Sequence, residues 1–400
     1  MTPAAALGQQ RWMIVAAAFC GVMVGFGSLL VFTFSVFVKP LSAEFGWSRE
    51  VISGAFGFAA MSVAVASPVL GRLLDRYGPV RVILPCMAVY ALAFASLSQL
   101  APSIWQLYAT FVVLGIVGNG TTQMGYSRAV STWFYENRGL ALALVMAGTG
   151  VGGVVLPPLA QSLITNYGWR AAYAALGVLV IIVGTPLTAV FVRERTHAES
   201  GTIPMRRGMR VAEGLRSRAF WIIVATLFLG SITINGAITH LSALLTDRGI
   251  SSGQAAAALS ILGAFSFCGR IVTGHLLDRY FGPRVSFVLM LGVAAGIATL
   301  ARASSVIGAF AAAALIGFGL GAEADITPYL LTRYFGLRSF STLYGFTWTA
   351  YAIAGAIGPV IMGKAFDVTG SYGPLLSLLA IGMFVSAGLN LLLPRYPVEL

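Results

Sequence analysis

The sequence predicts an all-α membrane protein with twelve transmembrane helices in two pseudo-symmetric six-helix halves. Of its 400 residues, 58% are hydrophobic and only 10% are charged, whereas soluble domains average about 45–50% apolar and 25% charged residues. Apolar stretches of about 20 residues, the length that crosses a bilayer, recur along the whole chain. Two sets of motifs recur about half a chain length apart, so the second six helices are expected to repeat the first six.

The apolar stretches follow one another with short polar connections. The first begins after Arg11 and Trp12, runs too long for a signal-peptide core and lacks a small-residue cleavage pattern, so we expect it to stay as a membrane helix. The connection 193–219 is a basic cytoplasmic linker by composition and separates an N-terminal half, 1–192, from a C-terminal half, 220–400. In chain order the predicted spans are 13–38, 51–70, 82–100, 104–131, 139–164, 169–192, 220–245, 253–276, 285–301, 304–332, 340–365 and 372–393.

The basic residues predict the orientation. The net charge is +12, but the 23 Arg and two Lys are spread between apolar runs, so we expect no nucleic-acid partner. With the amino terminus in the cytoplasm, 18 basic residues lie inside, six lie outside and Arg270 lies within the membrane. The positive-inside rule therefore predicts that both termini are cytoplasmic.

Enzyme chemistry finds little support in the sequence. Cys20, Cys86 and Cys268 lie singly in apolar runs, with no CxxC pair and no metal-ligand spacing. No nucleophile with a positioned base, HExxH motif or carboxylate cluster stands out. We expect no enzyme activity, no cofactor and no metal.

Arg270 is a charge inside the predicted span 253–276. An arginine at mid-bilayer costs about 2.5–3.5 kcal/mol on insertion scales, so it is expected to face a cavity and to have a function. The alternative is that its side chain bends toward the headgroups near Asp278, about 12 Å further along the helix. Its repeat-related position, 203 residues earlier, is Ser67. A charge needed to fold the repeat would occur in both halves, whereas a ligand for one asymmetric substrate need occur only once.

A loop motif that occurs once in each half marks the repeat. GRLLDRYGPVRV at 71–82 recurs as GHLLDRYFGPRV at 274–285, and the chain resembles the major facilitator superfamily of transporters over essentially its whole length. The resemblance implies the major facilitator fold, alternating access, and aspartates that bind a helix amino terminus or an arginine in one state and release it in the other. The residues to which it gives this gating role are Gly71, Asp75, Arg76, Gly78, Asp278 and Arg279.

A narrower resemblance lies in three segments. FGWSRE at 45–50, WFYENRGLALALVMAGTGVGG at 133–153 and GLGAEADITPYLLTRYFGLRSFSTLYG at 319–345 resemble the monocarboxylate porter and oxalate:formate antiporter group, the last in its bacterial form. This resemblance implies a monomeric transporter of a bacterial inner membrane that carries a small monocarboxylate, similar to lactate or pyruvate. It also makes Arg270 the carboxylate anchor, a task that suits the planar guanidinium fork.

The sequence departs from that group at two places. Where proton-carrying animal members have an aspartate and a lysine, this chain has Ser266 and Phe32, so their proton relay does not transfer. Where the oxalate:formate antiporter has an aromatic residue followed by a second cation, this chain has Trp348 and Tyr351. A single cation suits one carboxylate and makes a dicarboxylate less expected.

The remaining polar residues of the spans supply further candidates. Glu323 and Asp325 are proton-coupling candidates; alternatively they pair with arginines such as Arg333 or cap helix ends. Two apart on a helix, they point to different faces and should differ in role. Besides Arg270, the candidate substrate-binding residues are Tyr329, Tyr351, Asn119, Gln123 and Trp348.

The leading interpretation is therefore a proton-coupled symporter of a monocarboxylate that works by alternating access. Its expected partners are the carboxylate, a proton as candidate co-substrate, and the lipid bilayer. Organic-anion exchange is the main alternative, followed by efflux of an amphiphile and by a membrane-bound carboxylate sensor.

Overall fold

The computed structural model describes residues 3–135, 137–194 and 208–397, and this part of the chain is α-helical without any β-strand. Within it, eleven helices are long and apolar enough to cross a membrane. One of them, Arg138–Phe191, has 54 residues, more than twice the roughly 20 residues that a bilayer requires. Gly168 interrupts it with φ 82° and ψ 162°, a conformation that is open to glycine. Gly168 therefore separates the predicted spans 139–164 and 169–192.

The helices are numbered in chain order. They are α1 Pro3–Met23, α2 Phe32–Phe45, α3 Arg49–Tyr77, α4 Pro79–Ser96, α5 Ile104–Gly118, α6 Gln123–Trp133, α7 Arg138–Leu179, α8 Thr185–Phe191, α9 Val211–Arg216, α10 Arg218–Asp247, α11 Ser252–Arg279, α12 Gly282–Arg302, α13 Val306–Phe335, α14 Phe340–Thr369 and α15 Gly373–Leu391. The π-helical turns Gly27–Val31 and Val180–Gly184 precede α2 and α8.

The chain forms two compact units. The first contains Met1–Tyr135, Leu144–Gly208 and Leu337–Thr349, and the second contains Glu136–Ala143, Met209–Gly336 and Ala350–Leu400. In the first unit α3 packs on α5, and α1 on α8. In the second unit α11 packs on α13, and α12 packs on both α13 and α15. This grouping places Leu337–Thr349 with the first unit and Glu136–Ala143 with the second. The division of the sequence into halves at 1–192 and 220–400 therefore stays a prediction.

The predicted linker is helical in part. Val211–Arg216, within the linker, forms α9 just before α10, and the Met209 nitrogen donates a hydrogen bond to the Phe335 carbonyl, 2.9 Å away. The stretch 195–207 of the predicted linker lies outside the described residues.

The predicted span 104–131 is not one continuous helix. After α5, residues Asn119–Thr121 form a 3₁₀ turn, and Thr122 is extended with φ −81° and ψ 178°. The hydroxyls of Thr121 and Thr122 each donate, at 2.7 Å, to the carbonyl three residues earlier. Such side-chain bonds compete with the helical ladder and favour a turn. Asn119 and Gln123, four residues apart within this predicted span, therefore do not share the face of one continuous helix.

Candidate functional site

Arg270 lies where α11 and α13 touch backbone to backbone. A Cβ atom on Gly321 of α13 would overlap the carbonyl oxygen of Ser266 and lie 3.0 Å from the backbone nitrogen of Arg270. A Cβ atom on Gly269 or on Gly317 would likewise overlap a backbone carbonyl oxygen of the opposite helix. Small residues four apart allow membrane helices to approach this closely. The residue one turn after Gly321 is therefore brought next to Arg270.

That residue is Asp325. Its Oδ1 lies 3.8 Å from Nη1 of Arg270, and its side chain is fully buried, while the arginine side chain is 13% exposed. Among the described residues, neither this Nη1 nor either oxygen of Asp325 has a hydrogen-bond partner. The separation exceeds the roughly 2.7–2.9 Å of a charge-assisted hydrogen bond. The two charges balance each other, and the guanidinium keeps donors for a second carboxylate. The alternative partner, Arg333, lies with its guanidinium 4.7 Å from the centre of the Tyr396 ring.

Glu323 is on another face of α13. It is 4% exposed, and neither carboxylate oxygen has a hydrogen-bond partner in the described part of the protein. A Cβ atom on Gly230 of α10 would lie 2.5 Å from its Oε1, so the carboxylate reaches toward α10 rather than toward α11. The two acids of α13 thus have different surroundings, as expected for residues two apart on a helix.

Tyr351 lies close to this group of charges. Its side chain forms a hydrogen bond with Asn235 of α10 and is within electrostatic range of Glu323 and Arg270. The Tyr351 carbonyl also accepts a hydrogen bond from the Ser231 hydroxyl, 2.9 Å away. The helix α14 is thus fixed against α10 at the residue that the sequence singles out as a substrate ligand.

Tyr329 is further from the arginine. Its hydroxyl donates a 2.6 Å hydrogen bond to the carbonyl of Leu277. Leu277 follows Arg270 by seven residues, which is about 10 Å along the helix. Substrate contact by Tyr329 stays a prediction.

The polar candidates of the first unit make their own contacts. The Asn119 amide donates to the Ser67 hydroxyl at 2.7 Å, and the Gln123 amide donates to the Tyr344 hydroxyl. The ring of Trp348 lies edge-on to that of Tyr344, with 6.1 Å between centroids. Ser67, the repeat counterpart of Arg270, is therefore part of a neutral hydrogen-bond pair. A substrate role for these residues stays a prediction.

Asp75 caps the beginning of α14. Its carboxylate accepts hydrogen bonds from the backbone nitrogens of Ser341, at 2.9 Å, and Thr342, at 2.8 Å, and from the Thr342 hydroxyl, at 2.6 Å. Arg128 pairs with the same carboxylate, and its Nε lies 2.5 Å from Oε1 of Glu194. A carboxylate here complements the positive end of the helix dipole.

Asp278, the repeat counterpart of Asp75, caps α7 in the same manner. It accepts hydrogen bonds from the backbone nitrogens of Gly139, at 2.7 Å, and Leu140, at 2.9 Å. Each copy of the repeated loop motif therefore places a carboxylate at the amino terminus of a helix.

The other four motif residues have simpler surroundings. A Cβ atom on Gly71 would overlap the backbone of Ser341, so glycine permits the close approach of α14 that Asp75 needs. Gly78 has φ +82° at the end of α3. Arg76 and Arg279 are exposed. A gating role for the six residues stays a prediction.

The sequence interpretation missed the role of Arg128, which it counted only as a cytoplasmic positive charge. The indication was available, because Arg128 lies inside the predicted span 104–131, and an arginine in an apolar run calls for a partner. The partner itself, Asp75, is 53 residues away and no local pattern identifies it.

Comparisons with known proteins agree with this architecture. The sequence model of the Major Facilitator Superfamily matches residues 15–359. The "Uncharacterized MFS-type transporter YhjX" of Escherichia coli (strain K12) is 24% identical, covering 86% of this chain and 85% of that protein. "Monocarboxylate transporter 13" of Rattus norvegicus is 28% identical, covering 96% of this chain and 89% of that protein. A crystal structure of the E. coli fucose:proton symporter FucP superposes with a TM-score of 0.74 at 16% identity, covering 96% of this chain and 98% of FucP.

Proposed function

The chain belongs to the Major Facilitator Superfamily, and from this premise we propose that it takes up a small monocarboxylate, similar to lactate or pyruvate, by proton-coupled symport with alternating access. It is a multi-pass membrane transporter and not an enzyme. The observation that carries the proposal is the Arg270–Asp325 pair, a cation with available donors inside apolar helices. The resemblance to monocarboxylate transporters in sequence supports the same substrate class.

Arg270 anchors the substrate carboxylate. A planar guanidinium holds one carboxylate through two parallel hydrogen bonds, and the low local dielectric strengthens them. The neighbouring wall supplies Tyr351, whose ring offers an apolar surface for the short carbon chain of the substrate. A single cation with one counter-ion suits a monocarboxylate better than a dicarboxylate.

The same pair couples the proton. In the empty protein Asp325 balances the charge of Arg270; when a substrate carboxylate takes that role, Asp325 would be left as a buried, uncompensated anion. Such a charge is costly in a protein interior, by several kcal/mol. A proton that binds Asp325 removes the cost, so one proton enters with each monocarboxylate and leaves when the arginine pairs again with Asp325. Asp325 on α13 thereby takes the role of the aspartate that proton-carrying relatives have at the position of Ser266.

The surroundings of the protein complete the proposal. We place it in a bacterial inner membrane as a monomer with both termini in the cytoplasm, because the basic residues are concentrated in the connections that this orientation makes cytoplasmic.

The test is uptake of radiolabelled lactate and pyruvate into proteoliposomes. We expect Arg270→Ala to abolish uptake and Arg270→Lys, which keeps the charge but lacks the planar fork, to lower it at least about tenfold, equivalent to about 1.4 kcal/mol. Arg284→Ala is the matched control, because Arg284 is an exposed arginine at the beginning of α12. Undiminished uptake by both Arg270 variants would contradict the anchor role.

Organic-anion exchange is the second candidate function. It is favoured by Ser266 and Phe32, which stand where the proton-carrying relatives have charged residues. Symport predicts that a pH gradient alone drives accumulation of the labelled acid. Exchange predicts accumulation only when the vesicles are preloaded with a second organic anion, independently of the gradient.

A further inference from the structure

A small cavity in the second unit has a mainly apolar lining that also contains polar residues. It has a volume of about 20 Å³, somewhat more than the roughly 10–15 Å³ that one water occupies. Four helices line it, and each contributes a residue with a side-chain oxygen. These residues are Thr226 of α10, Ser286 of α12, Glu323 of α13 and Asn390 of α15; α13 also contributes Thr327, whose hydroxyl donates to the backbone carbonyl of Glu323.

Their side-chain oxygens are deeply buried. Ser286 and Asn390 are each 1% exposed, Glu323 is 4% exposed and Thr226 is 7% exposed. In the described part of the protein, the hydroxyls of Thr226 and Ser286, the amide oxygen of Asn390 and both oxygens of Glu323 lack hydrogen-bond partners. Buried polar groups are almost always paired in folded proteins. Five such atoms around one cavity therefore indicate a ligand that they bind together.

The chemistry of the lining identifies the ligand class. Carboxylate, amide and hydroxyl oxygens are the donors that hard cations prefer, and the described lining contains no thiol or imidazole for a transition metal. The Asn390 amide nitrogen already donates to the carbonyl of Ser386 at 2.9 Å, which fixes the Asn390 oxygen as a free acceptor. Thr226 and Ser286 can present a lone pair in place of the hydroxyl hydrogen.

Charge balance sets the valence of the cation. Glu323 is the one charged residue in the described lining, whose other members on α10, α12, α13 and α15 are neutral. The Arg270–Asp325 pair adds no net charge, because its two members offset each other. A monovalent cation makes the site neutral, whereas a divalent cation would leave a positive charge in the protein interior, at a high cost.

We propose that Glu323, Asn390, Ser286 and Thr226 bind a monovalent metal cation, and we name Na⁺ rather than a larger ion because the cavity holds little more than one water. The two acids of α13 then have separate tasks: Asp325 balances the substrate anchor, and Glu323 holds the cation on another face of the same helix. The site is independent of the proposed substrate, because its residues do not include the arginine anchor.

The test is thermal unfolding of the full-length protein in detergent at a fixed pH near neutrality. NaCl replaces choline chloride at constant ionic strength, and no substrate is added. A ligand that binds the folded state raises its melting temperature, so we expect 100 mM Na⁺ to raise the wild-type Tm by about 2–5 °C and the same concentration of K⁺ to have much less effect.

The variants connect this shift to the cavity. Glu323→Gln keeps the shape but removes the charge, and should abolish the Na⁺ shift. Ser286→Ala removes one oxygen and should raise the Na⁺ concentration for half the shift about tenfold. Ser377→Ala on α15 is the matched control with an unchanged shift, because its hydroxyl bonds to the carbonyl of Gly373 in its own helix.

Three outcomes would overturn the cation site. One is a wild-type Tm that does not respond to Na⁺, and another is an equal response in Glu323→Gln. The third is a Tm that responds to pH through Glu323 but not to Na⁺, which would show that the residue takes up a proton. Asp325→Asn should keep the Na⁺ shift even where it changes transport, so failure of the substrate proposal is distinguishable from failure of this one.

Discussion

Arg270 and Asp325 form an ion pair that is close enough to balance charge and too long for a hydrogen bond, at 3.8 Å. A closer, doubly hydrogen-bonded pair would compete strongly with substrate, since bidentate pairs are the strongest of their kind. A more distant pair would leave the aspartate uncompensated in the interior. The observed separation therefore suits a counter-ion that a substrate carboxylate can replace.

Asp325→Asn separates binding from coupling. The amide keeps the shape of the side chain but neither balances Arg270 nor binds a proton, so the substrate carboxylate becomes the sole counter-ion. We expect tighter carboxylate binding, exchange of labelled for unlabelled acid that persists, and accumulation driven by a pH gradient that falls at least about tenfold. Counterflow and gradient-driven uptake in the same proteoliposomes measure the two activities.

The double variant Asp325→Asn with Glu323→Gln completes that test. If the single and the double variants both accumulate lactate in response to a pH gradient, neither acid of α13 carries the coupling proton. If only the double variant fails, the proton is on Glu323, which would contradict the role proposed for Asp325.

At the residue scale the sequence predicted one partner of the pair. Arg270 stood out because it is a charge within an apolar helix, and this can be recognised without knowing which residue pairs with it. Asp325 lies 55 residues later, and helical periodicity does not say which two helices touch. The cavity residues gave still less indication, because Thr226, Ser286 and Asn390 are ordinary polar residues until the fold brings them to Glu323.

At the scale of helices, the contact between α11 and α13 positions the candidate site. Its glycines were visible in the sequence, but Gly317 and Gly321 could equally have faced lipid. The break of the predicted span 104–131 was not predicted, because hydropathy responds to apolar composition and not to the threonine hydroxyls that end α5. The capping aspartates were expected to meet a helix amino terminus, and the structure supplies the helices, α14 and α7.

Gly321→Ala tests how far the site depends on this contact. The added Cβ would overlap the Ser266 carbonyl oxygen, so α11 and α13 must move apart and Asp325 must move away from Arg270. We expect a loss of about 1–3 kcal/mol in unfolding free energy from overpacking, together with a marked loss of uptake. Thermal unfolding and lactate uptake measure the two effects.

Gly263→Ala is the control for that substitution. Gly263 is in the same pair of helices, on α11, but has no atom within 4 Å of an added Cβ. Alanine favours helix over glycine by about 1 kcal/mol, so this variant should be at least as stable as the wild type and transport normally. If Gly321→Ala behaves like Gly263→Ala, the close contact does not position the site.

At the scale of the whole molecule, composition was the most informative property. The mean hydropathy of +0.86 indicates a chain that lies mostly in the membrane, and the eleven apolar helices among the described residues agree with this. Charged residues within such helices are few, so each of them is a candidate for a function. The fifth and sixth predicted spans, 139–164 and 169–192, follow each other directly in one long helix that Gly168 interrupts, so the described residues contain eleven such helices where the sequence predicts twelve spans. The orientation rests on charge counts alone.

Cysteine accessibility tests that orientation. In a background with Cys20, Cys86 and Cys268 replaced by serine, Ala101→Cys places a thiol in the exposed connection after α4, and Tyr280→Cys places one in the exposed connection after α11. Because the positive-inside rule puts the arginine-rich connection of Tyr280 in the cytoplasm, a membrane-impermeant maleimide should label only Ala101→Cys in intact cells and both variants after permeabilisation. The reverse pattern would invert the topology, and with it the direction of the proton gradient that the Arg270–Asp325 pair is proposed to use.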